Sequence, residues 1–228
     1  GSEMCIRDSA SAMQGDHAGT TLLVPEIVAR VEASTDPWLD AYLAFNHGIA
    51  ELENFGDVAF ARIHLQRAQE LFSRLGDTWH QAQVFAGLGL LALLQDDPAA
   101  ASTWYETTLT TARKLKSRAL EALALDKLGE VARLAGEDAR ATAYYSASLQ
   151  IYSDLDSGLD IARLTHNLGY LALHADDTRQ AHTRFTESLF AYRTLGQPRG
   201  QAEALAGLAA VAATTRTSSS SRLAARWW

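Results

Sequence analysis

Several things are scarce in this chain, and each scarcity removes a class of function. It has a single cysteine, Cys5, so no disulfide can form within it. Lysine is nearly absent: Lys114, Lys116 and Lys127 are the only three, beside seventeen arginines. That bias points to a GC-rich source genome and is silent on mechanism. Basic charge as a whole is short, because 20 Lys and Arg face 27 Asp and Glu for a net charge of −7 and a pI near 5.5. A segment that neutralises phosphates needs a basic face, so nucleic acid is excluded as a partner of this segment. No apolar run approaches the ~20 residues of a membrane span, and no secretory leader is visible. A cytoplasmic location without a membrane partner is the expectation.

The chemistry-bearing motifs are missing as well. No Gly-x-Ser-x-Gly nucleophile elbow occurs. Gly87-Leu88-Gly89 lies within a helical pattern and no Gly-Lys-Ser/Thr follows it, so it is no phosphate loop. His166, His174 and His182 are spaced by eight, whereas zinc ligands on helices sit three or four apart. These histidines read as solvated or groove-lining. Asp96-Asp97 and Asp176-Asp177 recur at one place in a repeat, which marks them as turn residues rather than calcium ligands. We expect no enzyme, no cofactor and no metal.

What is present is a period. Leu75, Leu115, Leu155 and Leu195 stand forty residues apart, and cuts at Trp38, Thr78, Arg118, Gly158 and Pro198 align four full copies and one partial copy without an insertion. Self-similarity of this length marks a stacked repeat protein. With each copy numbered 1 to 40, column 11 holds Leu88, Leu128, Leu168 and Leu208; column 12 holds Gly89, Gly129, Gly169 and Ala209; column 24 is Ala61, Ala101, Ala141 and Ala181. Column 28 is large and apolar: Leu65, Tyr105, Tyr145, Phe185. Columns 8, 11, 12 and 15, and columns 24, 28, 31, 32 and 35, each trace one face of a helix. Small and acidic pairs between them (Gly56-Asp57, Asp96-Asp97, Gly136-Glu137, Asp176-Asp177) suit a tight turn and the start of the next helix. Each copy is therefore helix, turn, helix, turn. Glycine inside a helix costs roughly 1 kcal/mol relative to alanine, so the column of glycines implies close helix approach beside the column-28 side chain. A single hairpin cannot bury both apolar faces, and stacking on neighbours does.

This pattern resembles the tetratricopeptide repeat. Leu-Gly at columns 11 and 12, the Gly-Asp-type turn, alanine at 24, an aromatic at 28 and a small residue at 31 (Ala68, Thr108, Ser148, Ser188) stand at that family's relative spacings. The departure is length, forty residues in place of thirty-four. The longer form is similar to the C-terminal arrays of large bacterial ATP-binding transcriptional regulators of the MalT-like, LuxR type. Asp36-Pro37-Trp38, Asn167-Leu168-Gly169 and the segment from Gly200 to Leu205 carry that likeness. The resemblance implies an all-α, right-handed α-solenoid of antiparallel helical hairpins over residues 36–214. It also implies a scaffold that binds protein or peptide, as a fragment of a bacterial signalling or transcriptional regulator.

The ends fall outside the repeat. Residues 1–20 break register, and the run from Glu3 to Ser9 resembles a translated sequencing adapter, as expected of a metagenomic fragment. Residues 21–35 carry Leu22, Leu23, Ile27, Val28 and Val31 at helical spacing, which suits the second helix of a truncated preceding repeat. From Thr214 a Thr/Ser tract stands where a turn belongs, so residues 215–228, ending at Trp227 and Trp228, are expected to be an irregular truncated tail.

By the same resemblance the first helix of each copy lines a concave groove, through columns 6, 9, 10, 13 and 17. Those columns give Asn46 beside His47 in copy one, and Gln83 among Ala86, Gly87, Leu90 and Leu94 in copy two. Copy three gives Asp126, Lys127 and Glu130; copy four gives Arg163, His166, Asn167, Tyr170 and His174. A groove asparagine such as Asn167 can hydrogen-bond a bound peptide's backbone in both directions. Solvated helix surface would explain the same residues. On the groove reading, Asn167→Ala and Arg163→Ala weaken binding and leave the helical melt nearly unchanged. Two other readings stand beside it: a small-molecule sensor array controlling a nucleotide-binding switch domain, and self-association through the truncated ends.

Overall fold

The computed structural model describes residues 36–54 and 56–224, with side chains to residue 215. The expectations for residues 1–35 and for Trp227 and Trp228 lie outside the described residues. The chain divides into two compact units, Gly1–Asp77 and Thr78–Trp228. The first holds α1 (Pro37–Glu53) and α2 (Val58–Leu75). The second holds α3 (Thr78–Leu94), α4 (Pro98–Lys114), α5 (Arg118–Leu134), α6 (Asp138–Asp154), α7 (Gly158–His174), α8 (Thr178–Thr194) and α9 (Pro198–Ala224). Among the described residues every regular element is a helix. The fold is an all-α solenoid built from helical hairpins.

The turns explain the regularity. From α3 to α8 each helix is 17 residues long, and each begins twenty residues after the last. Every connection there is three residues, and its middle residue is left-handed: Asp96, Lys116, Gly136, Asp156, Asp176 and Gly196 all have positive φ, as does Gly76 at the end of α2. Each closes the preceding helix with the same pair of backbone bonds. At α3, the Asp96 N–H donates to the Leu93 carbonyl at 3.0 Å and the Asp97 N–H to the Ala92 carbonyl at 2.9 Å, which satisfies the last carbonyls. The residue that completes this cap then starts the next helix. The Asp97 side chain accepts from the Ala100 N–H, and Asp177 accepts from the Gln180 N–H, each at 2.9 Å. The period in the backbone is thus twenty, half the period in the side chains.

The side-chain period comes from the hairpin interiors. A Cβ added to Gly89 would lie 2.5 Å from the Tyr105 ring, one on Gly129 would lie 2.6 Å from Tyr145, and one on Gly169 2.9 Å from Phe185. Alanine fits at none of these without a shift, and this is the close approach that the glycine column implied. Beside it, the Ser148 hydroxyl donates to the Ala122 carbonyl at 2.8 Å across the α5–α6 hairpin, from within a site that is wholly buried. Within the second unit each second helix also packs on the first helix of the following hairpin, so the apolar core runs on from Ala92 through Tyr105, Leu128 and Tyr145 to Leu171.

Two departures from the expected repeat have local causes. In the first unit the turn between α1 and α2 is one residue longer, spanning 54–57, and α1 begins one residue early. Gly48 therefore takes the glycine's place, with an added Cβ 2.7 Å from Leu65. At the other end, α9 continues to Ala224 where an irregular tail from residue 215 was expected. No glycine or proline interrupts residues 208–224, and hydroxyls there bond back to their own helix. Thr214 donates to the Ala210 carbonyl at 3.0 Å and Thr215 to the Val211 carbonyl at 3.1 Å.

Candidate functional site

Helices α5 and α7 are the first helices of successive hairpins in the second unit, and one side chain joins them. Arg163 on α7 places Nη1 2.8 Å from Oδ2 of Asp126 on α5. Its Nη2 lies 2.8 Å from Oδ1 of Asp160, one turn earlier on α7. Asp160 in turn accepts from the Ser157 hydroxyl at 2.7 Å, so the relay ends at the residue preceding α7. Asp126 is 1% exposed. Burial pushes its carboxyl above the usual range; Arg163 and Lys127 pull it back without cancelling that rise. Burial alone would lower Arg163, but Asp126 and Asp160 more than offset this and keep the guanidinium charged.

Three buried phenols on the second helices feel the charge of this pair. Tyr105, Tyr145 and Tyr152, all on second helices, have phenols pushed up first by burial and further by nearby carboxylates. For Tyr145 the rise is to about 12, with Arg133 opposing it from nearby. The Tyr105 and Tyr145 hydroxyls have no partner at hydrogen-bond geometry among the described residues.

The other expected site residues fall into distinct groups. Lys127 and Glu130 pair with each other at 3.0 Å, half-exposed on α5. Gln83 on α3, and Asn167 and Tyr170 on α7, are half-buried, and their polar side-chain atoms make no hydrogen bond among the described residues. His174 is exposed, with Nδ1 3.8 Å from Oδ2 of Asp138. His166 is buried rather than solvated. It is 6% exposed, with its ring 5.0 Å from Tyr170 and 5.4 Å from Phe185. Burial lowers its pKa, with Glu203 opposing. Asn46 stands in the first unit, where its amide donates to the Tyr42 carbonyl at 2.7 Å. The longer α1–α2 turn puts Asn46, not His47, at the repeat position of Lys127 and Asn167.

Asp160 was missed from the sequence, although its place three residues before Arg163 on a helix is the spacing at which opposite charges meet. Arg163 bridges α5 and α7, which argues that its removal lowers the melt rather than sparing it.

Cavities lie elsewhere. One of about 460 Å³ sits between α8 and α9, lined by Thr178, His182, Leu208 and Val211. Notches of 220 Å³ beside Leu128 and Arg140, and of 170 Å³ beside Leu168 and Arg184, occupy equivalent repeat positions. They are gaps between the ends of packed helices and contain none of the polar residues above. Among the described residues no group of three or more His, Cys, Asp or Glu could hold a metal ion, and no helix is long and apolar enough to cross a membrane.

No protein-family model and no curated protein matches the chain. Solved structures do. Aspartyl phosphate phosphatase F from Bacillus subtilis is similar with a TM-score of 0.72 and 11% identity, over 87% of this chain and 52% of that one. A Rap protein complexed with competence and sporulation factor gives 0.71 and 12%, over 87% of this chain and 55% of that one. The apo form of RapI gives 0.68 and 16%, over 78% of this chain and 64% of that one. The chain spans between half and two thirds of the length of these relatives. Identity at this level speaks for the fold alone, and that fold is a tetratricopeptide-like helical repeat array.

Proposed function

We propose that the second unit is a scaffold that binds an extended segment of a protein or peptide along α3, α5 and α7. It would serve a larger, cytoplasmic bacterial signalling or transcriptional regulator. The observation that carries this reading is the contrast between rigid and unspent polar groups on those helices. The Asp126–Arg163–Asp160 relay ties α5 to α7. Gln83 and Asn167, on α3 and α7, keep amides with no hydrogen bond among the described residues. An amide offers donor and acceptor together, which is what a peptide backbone needs. A preformed face of this kind binds with little backbone change. The similarity to a Rap protein whose solved structure holds competence and sporulation factor is consistent with a ligand-carrying array. The test is Asn167→Ala: affinity for a bound segment should fall about tenfold while the melt stays put. Equal affinity would remove the groove assignment.

A small-molecule sensor is the second reading, favoured by the 460 Å³ depression between α8 and α9. Thermal-shift screening separates the two, since a metabolite that binds only the folded state raises its melting temperature. Self-association is a third use of the same end of the unit, where Leu205 on α9 is 54% exposed. Light scattering on a variant carrying Leu205→Glu would detect it.

A further inference from the structure

The charges on the proposed groove are already spent on one another. Its two cations on α5 and α7 are Lys127 and Arg163. Lys127 is held by Glu130 at 3.0 Å. Arg163 is held at both ends by Asp126 and Asp160 at 2.8 Å. Three carboxylates against two cations leave this face with a net negative balance. An anionic ligand would meet an Arg163 whose charge is already offset by two carboxylates, and to gain its full charge it would have to displace Asp160 or Asp126, the latter a carboxylate of 1% exposure. The groups still able to act are neutral: the amides of Gln83 and Asn167 and the Tyr170 hydroxyl. Beside them stand half-buried apolar side chains, Leu90 on α3 and Leu123 on α5.

Resting on the peptide-binding reading above, we infer that this groove selects an internal, uncharged stretch of extended chain and rejects acidic, phosphorylated or carboxylate-terminated peptides. Neighbouring first helices lie about 10 Å apart, so α3 and α7 are separated by roughly 20 Å. At about 3.3 Å per residue, roughly six extended residues reach from Gln83 to Asn167. Recognition would run through the ligand's main chain, with side-chain preference set by the apolar neighbours. Asp160 acts as a positioning residue here, by keeping the second face of Arg163 occupied.

Affinity selection on the full chain, read by mass spectrometry, tests this with three decapeptide pools. The first is N-acetylated, C-amidated and randomised over Ala, Val, Leu, Ser, Thr and Gln. The second fixes two Glu positions in it, and the third leaves the carboxylate free. The neutral blocked pool should be retained at least about tenfold better than the glutamate pool, with no advantage for a free carboxylate. Equal or better retention of either anionic pool overturns the inference and leaves the peptide-binding reading intact. Retention of no peptide from any pool overturns that reading, and this one with it. Asp160→Asn, checked for folding by circular dichroism, should narrow the neutral-to-glutamate ratio at least about threefold. An unchanged ratio overturns the account of Arg163 as already engaged.

Discussion

Arg163 and Asp126 meet at 2.8 Å across two successive hairpins, and the carboxylate of that pair is 1% exposed. A contact of this kind is costly to break from one side, because the partner left behind is a buried charge.

Arg163→Ala should therefore destabilise the second unit by about 3 kcal/mol. Urea denaturation followed by circular dichroism measures it. A loss below about 0.5 kcal/mol would mean that the pair is as weak as an exposed one.

The same variant should show a steeper pH dependence than the wild type, whose Asp126 pKa is already raised. Without Arg163, burial opposed by Lys127 controls the Asp126 carboxyl, so its folded pKa climbs further above the ordinary value of 3.8. The folded state then keeps a proton that the unfolded state has released, and stability falls as pH rises. The variant should lie nearest to wild type below about pH 4 and furthest from it near pH 7. A gap that is constant with pH would show that Asp126 does not titrate there.

Gly129→Ala should cost about 2 kcal/mol, because its Cβ would stand 2.6 Å from the Tyr145 ring in a closed hairpin. Combining it with Tyr145→Leu should recover part of the loss, and a double-mutant cycle would read the coupling. Purely additive losses would place the clash elsewhere.

Lys116 is a non-glycine residue in the left-handed region, with φ of 54°, and its N–H closes α4 on the Arg113 carbonyl at 3.1 Å. Lys116→Gly should raise stability by about 0.5–1 kcal/mol, since glycine adopts that backbone without strain. Differential scanning calorimetry would register the rise; a lower melting temperature would contradict it.

How much of this was legible in the sequence depends on the range of the interaction. The hairpin interiors were, because Gly129 facing Tyr145 is a contact at constant separation that recurs as Gly89 with Tyr105 and Gly169 with Phe185. The twenty-residue backbone period was harder to read. Its left-handed positions are filled by Gly, Asp and Lys alike, and Lys116 carries no turn signal. The site was legible only as a set of columns. Which charges would be committed depended on Arg163 reaching the preceding hairpin, and on burial that no residue type announces. His166 illustrates this: it stands at a groove column, yet its ring is buried beside Tyr170 and Phe185. The continuation of α9 beyond Thr214 was missed because hydroxyl residues that favour turns also bond back along their own helix.

The central claim is that α3, α5 and α7 present a peptide-binding face, and backbone amide NMR with a retained neutral decapeptide tests it most directly. The account predicts that shift changes concentrate around Gln83, Lys127 and Asn167 and fade in Asn167→Ala. Changes confined to α4, α6 and α8, or to the depression between α8 and α9, would contradict it.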